Sequence, residues 1–474
     1  MRAKSLPNIP TTARSVVAPT LDSMHKHLSK EAFSSALKRG HGRASLHVQN
    51  FGLAEVTDLV LDACLKNPVY DRQCESSRAP WLFRMFKDRA EYPRFASAIL
   101  SALQQETEVC DIEHLCELTA QLAIHGDETA TDVLRRRVLG QSFSLEDDQF
   151  GCHALVLLDG LDAVVELARR YGRSLLGTSG KRLPFPYHLA GESNLRPLAD
   201  AALEQLAVSD EAIRAFWNSE RSWVREFQAD KLPPSDEERR ELRESSRREL
   251  PLETILADAA AGVGNSPAKY TRFGRYATPD ELDTILLRLI TEDDEKVRLR
   301  LLWVFRRVAL PELHPAIWTF AESNNDDVRA AAITALAQCN DPNVGDFARA
   351  VLRSARSPRV VSEGMQTLVK HYRPEDSVLV MSALSRISAN DDEAHAIGFS
   401  ISRICLGNES PDLLDALMWD YENNPCTLCR CGTVSMMSER EGLSSAIVSE
   451  CLHDADPDIQ KLAREAATRF ARSS

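Results

Sequence analysis

The sequence has no continuous apolar run near the roughly 18 residues that a bilayer-spanning helix needs. Nor does an apolar segment follow the basic residues Arg2 and Lys4, so neither a membrane anchor nor a secretory leader is expected. Cysteine is present in an odd number, eleven, scattered along 474 residues, which excludes a disulfide framework and points to a reducing, cytoplasmic home. Positive charge is in deficit, 57 Lys and Arg against 70 Asp and Glu, for a formal charge of -13. That balance argues against general binding to nucleic acid or anionic membranes and favours a protein partner that is basic, or apolar with a basic rim. The signatures His-Glu-x-x-His, Gly-x-Ser-x-Gly and Gly-x-Gly-x-x-Gly are all missing, which removes the commonest zinc-hydrolase, serine-hydrolase and dinucleotide-binding readings.

What is present is periodicity. Asp294-Glu295-Lys296-Val297-Arg298, Asp326-Asp327-Val328-Arg329-Ala330 and Ser357-Pro358-Arg359-Val360-Val361 repeat one helix-start pattern. With Val297, Val328, Val360, Ala394, Leu428 and Ile459 as equivalent positions, the interval is 31 to 34 residues. Four residues further on stand Leu301, Ala332, Gly364, Gly398, Gly432 and Ala463, five of them small. Apolar residues recur seven and eight positions on, so each segment is a helix with an apolar stripe pinched by a small residue where a neighbouring backbone can approach. Asp294, Asp327, Pro358, Asp392, Pro425 and Pro457 or Asp458 lie just upstream and suit a helix cap or first turn. The segments 282–289, 313–320, 344–352, 378–387, 413–421 and 443–452 then read as the first helix of each pair.

The turn, the Val-Arg pair and the small residue, as in Asp326-Asp327-Val328-Arg329-Ala330-Ala331-Ala332-Ile333, resemble HEAT repeats and the related armadillo-like solenoids over about residues 280 to 472. The resemblance implies an all-α fold, an α-α superhelix of stacked helical hairpins. It also implies a non-enzymatic scaffold or adaptor for protein–protein interaction, a subunit or regulator of a larger complex. Because the fold also hosts enzymes, a lyase or DNA-repair glycosylase remains an alternative, with Trp81, Trp217, Trp223 and Trp303 as candidate aromatics. An immunity-like protein that neutralises a basic toxin or effector is another.

Along the chain, residues 1–30 read as a disordered tail containing Pro7, Pro10 and Pro19, although the first acidic residue, Asp22, leaves room for a transit peptide. Residues 31–227 read as irregular helical hairpins and 228–250 as a charged linker or short helix, with Ser235 and Glu238 at capping-box spacing. Residues 251–474 form the repeat half.

Chemistry concentrates at Cys426-Thr427-Leu428-Cys429-Arg430-Cys431. Three cysteines this close could begin a zinc site, with Cys405, Cys451 or His453 as a further ligand. A helix resists using all three, because Cys426 and Cys429 share a face while Cys431 points away. A redox Cys-x-x-Cys pair and an ordinary packed turn are the other readings. The loop 172–197 carries Gly177-Thr178-Ser179-Gly180-Lys181-Arg182 and then Pro184 to His188, yet Leu175 stands where a phosphate loop needs glycine, which leaves a long loop able to bind a ligand. Arg135-Arg136-Arg137 and Arg306-Arg307 read as solvated or ion-paired faces, and Asp111, Glu113 and His114, or Asp159 and Asp162, as weak acid–base candidates.

Overall fold

The computed structural model describes residues 27–140, 150–177, 195–230, 245, 249–263, 266–408 and 411–473. Among these residues every regular element is helical, 25 α-helices in all, and no helix is long and apolar enough to cross a membrane. Nearly all of the expected tail, residues 178–194 and most of 231–248 lie outside the described residues, and the stretch expected as a loop over 172–197 begins as helix, since Leu161–Leu176 runs through Gly172.

Contacts divide the chain into two compact units, one holding residues 20–233 with 445–474, the other holding 234–444. The repeat block expected over 251–474 is thus cut at Ser444, and its last helix pair packs among N-terminal helices. The cause is local. Gly42 opens the helix Gly42–Phe51, and its missing Cβ would sit 1.9 Å from the carbonyl oxygen of Glu450. Beside it Arg43 Nε donates to Glu450 Oε1 at 2.7 Å, His41 Nδ1 lies 3.2 Å from the same oxygen, and Trp81 Nε1 donates to the carbonyl of His453 at 2.9 Å. The core of this unit gathers Phe33, Trp81, Leu115 and Leu134. Phe86 and Phe95 stack in it with ring centroids 4.4 Å apart.

The unit 234–444 is an array of hairpins. Its pairs are Leu252–Ala261 with Pro267–Tyr276, Pro279–Ile290 with Glu295–Val304, Pro315–Ala321 with Asp326–Leu336, Pro342–Ser354 with Pro358–Leu368, Asp376–Leu384 with Asp391–Gly407, and Leu414–Asn423 with Thr427–Glu439. All but the first pair follow the periodicity, and the second helix of each stacks on its counterpart in the next. The first lacks the helix-start pattern but makes the same kind of close approach, since a Cβ on Gly274 would meet the carbonyl oxygen of Val304 at 2.0 Å.

Helix starts are set by side chains that take up otherwise unpaired backbone N–H groups. Asp294 caps its helix as expected, accepting from Lys296 and Val297. Asn325 and Asn390 cap the next and fifth second helices, which moves Asp327 and Asp392 into the first turn, where a carboxylate still suits the helix dipole. Asp456, not Asp458, caps the last helix.

Burial supports the apolar register at Val297, Val328, Ala394 and Ile459, each followed four residues later by a buried or close-packed position. In the fourth hairpin the register slips by one residue, with Val361 fully buried in place of Val360. In the helix Thr427–Glu439 it slips by two. Leu428 and Gly432 face solvent, and the buried face runs through Arg430, Thr433, Val434 and Met437. Arg430 can take the core position because Asp420, also fully buried, compensates its charge.

Arginines tie successive layers together. Arg137 donates to the carbonyl of Glu106, Arg170 to Leu139, Arg300 to Ala259, Arg386 to Leu352 and Arg440 to Cys405. Each reaches back roughly one hairpin to carbonyls near a helix C-terminus, where a cation meets both unsatisfied acceptors and the negative end of the dipole.

Candidate functional site

Two places in the 234–444 unit concentrate chemistry. The first is a groove of about 550 Å³ along the second helices of the second and third hairpins, reaching the fourth, lined by Lys296, Arg300, Trp303, Arg306, Asp327 and Arg359 among others. Four cations face one carboxylate there, against the sign of the whole chain. Lys296 and Arg306 project into solvent, while Arg300 donates to the carbonyls of Ala259 and Lys296. Arg359 bridges layers, with Nη2 on Asp327 Oδ1 and Nε on Glu363 Oε1, each at 3.0 Å. Burial lowers the pKa of Arg359, but its hydrogen bonds to these carboxylates more than offset that and hold it charged. Trp303 forms part of the apolar wall, its ring packed against Tyr270 at 5.9 Å.

The second place is where the cysteine cluster folds. Cys426 is the cap residue of the helix Thr427–Glu439, and its N–H donates to Asn424 Oδ1 at 3.0 Å, which fixes the turn through Pro425. Cys429 follows in the first turn. His395, from the second helix of the preceding hairpin, places Nε2 3.2 Å from Cys429 Sγ, and the ligand atoms of His395, Cys426 and Cys429 all lie within 4.8 Å of one another. Gly398, one turn beyond His395, lets that helix close on Asp420 and Asn424, and Asn424 Nδ2 donates to Asp420 Oδ1 at 2.8 Å. Cys426 is buried, whereas Cys429 and His395 are partly exposed, so the cluster opens to one side. Burial lifts the Asp420 carboxyl to about 6 despite hydrogen bonds from Thr433 and Asn424.

The helix that separates Cys426 and Cys429 from Cys431 does so as its geometry requires, and Cys431 is not a member of the group. Of the further ligands considered, Cys405 is buried with its thiol pushed up to about 12, and Cys451 and His453 belong to the other unit. His395 was not anticipated. Its signal in the sequence is distance alone, because it stands 34 residues before Cys429, one repeat length, and stacked hairpins lay such positions side by side.

The remaining candidates are dispersed. Asp111 accepts from the N–H of Asn67 at 2.9 Å, His114 bonds the carbonyl of Ala63 and is held neutral by burial, and Asp159 pairs with Arg135. Glu113 is raised to about 7, first by burial and then by its neighbour Glu117, while the Gly151 N–H and His153 pull the other way. Asp162 faces solvent. Trp81 and Trp217 lie in the core region of one unit and Trp303 in the other unit; the Trp223 side chain is outside the described residues.

Residues 282–369 match the family model for HEAT repeats. The chain is a HEAT-like helical-repeat protein. The match covers the three hairpins that build the groove and stops short of the cysteine turn. Searches of curated proteins and of solved structures found no match. HEAT repeats suggest a protein-interaction scaffold, in keeping with an array whose helices present side chains in regular rows.

Proposed function

We propose that this HEAT-like protein is a non-enzymatic adaptor, a subunit or regulator of a larger assembly, and that its repeat array grips a protein partner. The observation that carries the reading is the cationic groove around Trp303 and Arg306 in a chain of net charge -13. Arginine and tryptophan contribute most per residue at protein interfaces, and a local reversal of charge steers one complementary segment while the rest of the surface repels it. The overall charge favours a basic partner elsewhere on the surface, and the groove favours an acidic stretch of that partner. Apolar contact is available on the helix Asp391–Gly407, where Phe399 and Leu406 are 54 % and 78 % exposed. We assign the protein to the cytosol, since an odd count of eleven cysteines scattered along the chain does not read as a disulfide framework.

Affinity purification of the tagged full chain at moderate salt, with mass spectrometry and an absorbance ratio for nucleic acid, tests this reading. A stoichiometric protein retained by the wild type and lost from the Lys296→Glu, Arg306→Glu double variant is the expected result. A clean monomer would overturn it. Co-purifying nucleic acid, released by salt, would move the reading to a HEAT-like DNA-processing enzyme, because a cationic groove with an aromatic wall serves that purpose too.

A further inference from the structure

The geometry points to a zinc site formed by Cys426 Sγ, Cys429 Sγ and His395 Nε2, with the fourth position open to solvent. The donor set is the first argument. Two thiolates and an imidazole select a borderline-soft d¹⁰ ion, and Zn²⁺ takes such ligands in tetrahedral geometry. Bond lengths of about 2.3 Å to sulfur and about 2.0 Å to nitrogen place neighbouring ligand atoms roughly 3.5–3.8 Å apart. Here the three ligand atoms fall within 4.8 Å of one another, with 3.2 Å between Nε2 and Cys429 Sγ, so side-chain rotations that shift these atoms by up to about 1 Å admit the ion.

Rigidity of the supporting elements is the second argument. Cys426 and Cys429 are fixed by the cap turn, where Asn424 accepts from the Cys426 N–H. Asn424 is held by Asp420, and Asp420 by Thr433, all three fully buried. His395 rides on the helix that Gly398 brings against this same pair. A continuous network therefore fixes the spacing between two hairpins, as outer groups around a metal centre do.

Loading is balanced in charge and protons. Zn²⁺ displaces one proton from each thiol, the neutral imidazole gives a lone pair from Nε2, and a water fills the fourth position. The product is a neutral centre with two protons released. Chemically the site would staple the last two hairpins of the array across their stacking interface. The partial exposure of Cys429 and His395 leaves the water accessible, so a carboxylate or imidazole of a bound partner could replace it.

The test is metal analysis of full-length protein purified without chelator, followed by titration of the chelator-stripped chain with Co²⁺, whose tetrahedral thiolate complex absorbs intensely in the visible. The expected result is about one equivalent of zinc and a saturable cobalt spectrum. His395→Ala and Cys429→Ser should each weaken cobalt binding at least about tenfold, with helical circular dichroism unchanged, whereas Cys431→Ser should bind as the wild type does. Metal below about half an equivalent with no cobalt spectrum would overturn the proposal. So would loss of binding in Cys431→Ser together with its retention in His395→Ala, or a Cys426–Cys429 disulfide in non-reduced peptide maps of freshly purified protein.

Discussion

Gly398 and Asp420 are in such close contact that a Cβ on residue 398 would lie 1.9 Å from Asp420 Oδ1. Asp420 cannot retreat, because it is fully buried and bonded to Asn424 and Thr433. Gly398→Ala should therefore destabilise the array by about 1–3 kcal/mol, the usual cost of forcing atoms into a packed interface. Gly432→Ala is the control, at the position equivalent in sequence but turned to solvent. Nothing lies within 4 Å of its would-be Cβ, and the residue sits in an exposed stretch of helix, so alanine should stabilise by about 0.5–1 kcal/mol. Urea unfolding of both variants checks the pair, and equal effects would show that the small residue at this position is not read by the neighbouring hairpin.

Arg349 and Asp376 form a second buried contact between hairpins. Nε meets Oδ1 at 2.8 Å, Nη2 meets Oδ2 at 2.9 Å, and Nη2 also donates to the carbonyl of His371. The hydrogen bonds that Arg349 donates to Asp376 raise its pKa above the ordinary value, against the effect of burial. Asp376→Ala leaves the buried guanidinium with only the solvent-exposed Asp346 carboxylate, 3.1 Å from Nη1, and should cost about 3 kcal/mol, the low end for breaking a buried pair. The double variant Arg349→Met, Asp376→Leu should recover most of that loss, since an apolar pair of similar volume removes the stranded charge with its partner. A denaturation series on the single and double variants measures the difference.

The hairpins were legible in the sequence because each second helix carries three independent signals that agree: a capping residue, a 3.6-residue apolar stripe and a small residue. Where these disagree the reading drifted. Leu428 looked like a core residue by type, yet the buried face passes through Arg430, because a charge can enter a core once a counter-charge such as Asp420 awaits it, and sequence does not show which carboxylate faces inward. The cysteine turn was visible as Cys-x-x-Cys, and helix geometry correctly set Cys431 apart. His395 was hidden because a ligand one repeat away leaves no local pattern. The placement of residues 445–474 beside Gly42 was hidden for the same reason, since nothing in a repeat's own sequence states where its outer face will rest.

Glu113 should make stability depend on pH. Its carboxyl is raised from the usual range to about 7, chiefly by burial and next by Glu117, with the Gly151 N–H and His153 opposing. A carboxyl with a raised folded-state pKa binds its proton more tightly in the native state. Its contribution is therefore fully present below pH about 4.5 and is lost as the pH rises through about 7. Glu113→Gln, which keeps the shape and the acceptor but cannot ionise, should leave stability at pH 5 nearly unchanged and raise it at pH 8 by on the order of 2–3 kcal/mol. Thermal melts of wild type and variant at the two pH values decide, and a variant equally stable or unstable at both would mean that Glu113 does not titrate in this range.

The contact of Gly42 with Glu450 predicts that the last helix pair stabilises N-terminal helices. Ala455 N–H donates to the carbonyl of Gly40 at 2.9 Å, Arg43 and His41 meet the buried Glu450 carboxylate, and Trp81 Nε1 bonds His453. Glu450→Ala removes the acceptor while Arg43 can still turn to water, because it is 25 % exposed, so its cost should be about 1–3 kcal/mol. Gly42→Ala should cost at least as much, because the obstruction is the Glu450 backbone oxygen, 1.9 Å from the new Cβ, and a backbone cannot rotate away as a side chain does. Amide hydrogen exchange separates these local effects from a general loss of stability. Both variants should lose protection in Gly42–Phe51, Ala79–Phe86 and Ser445–Cys451, with protection over 282–369 unchanged. Uniform loss across 282–369 as well would show that the two units unfold together, and that the contact at Glu450 does not act on its own unit alone.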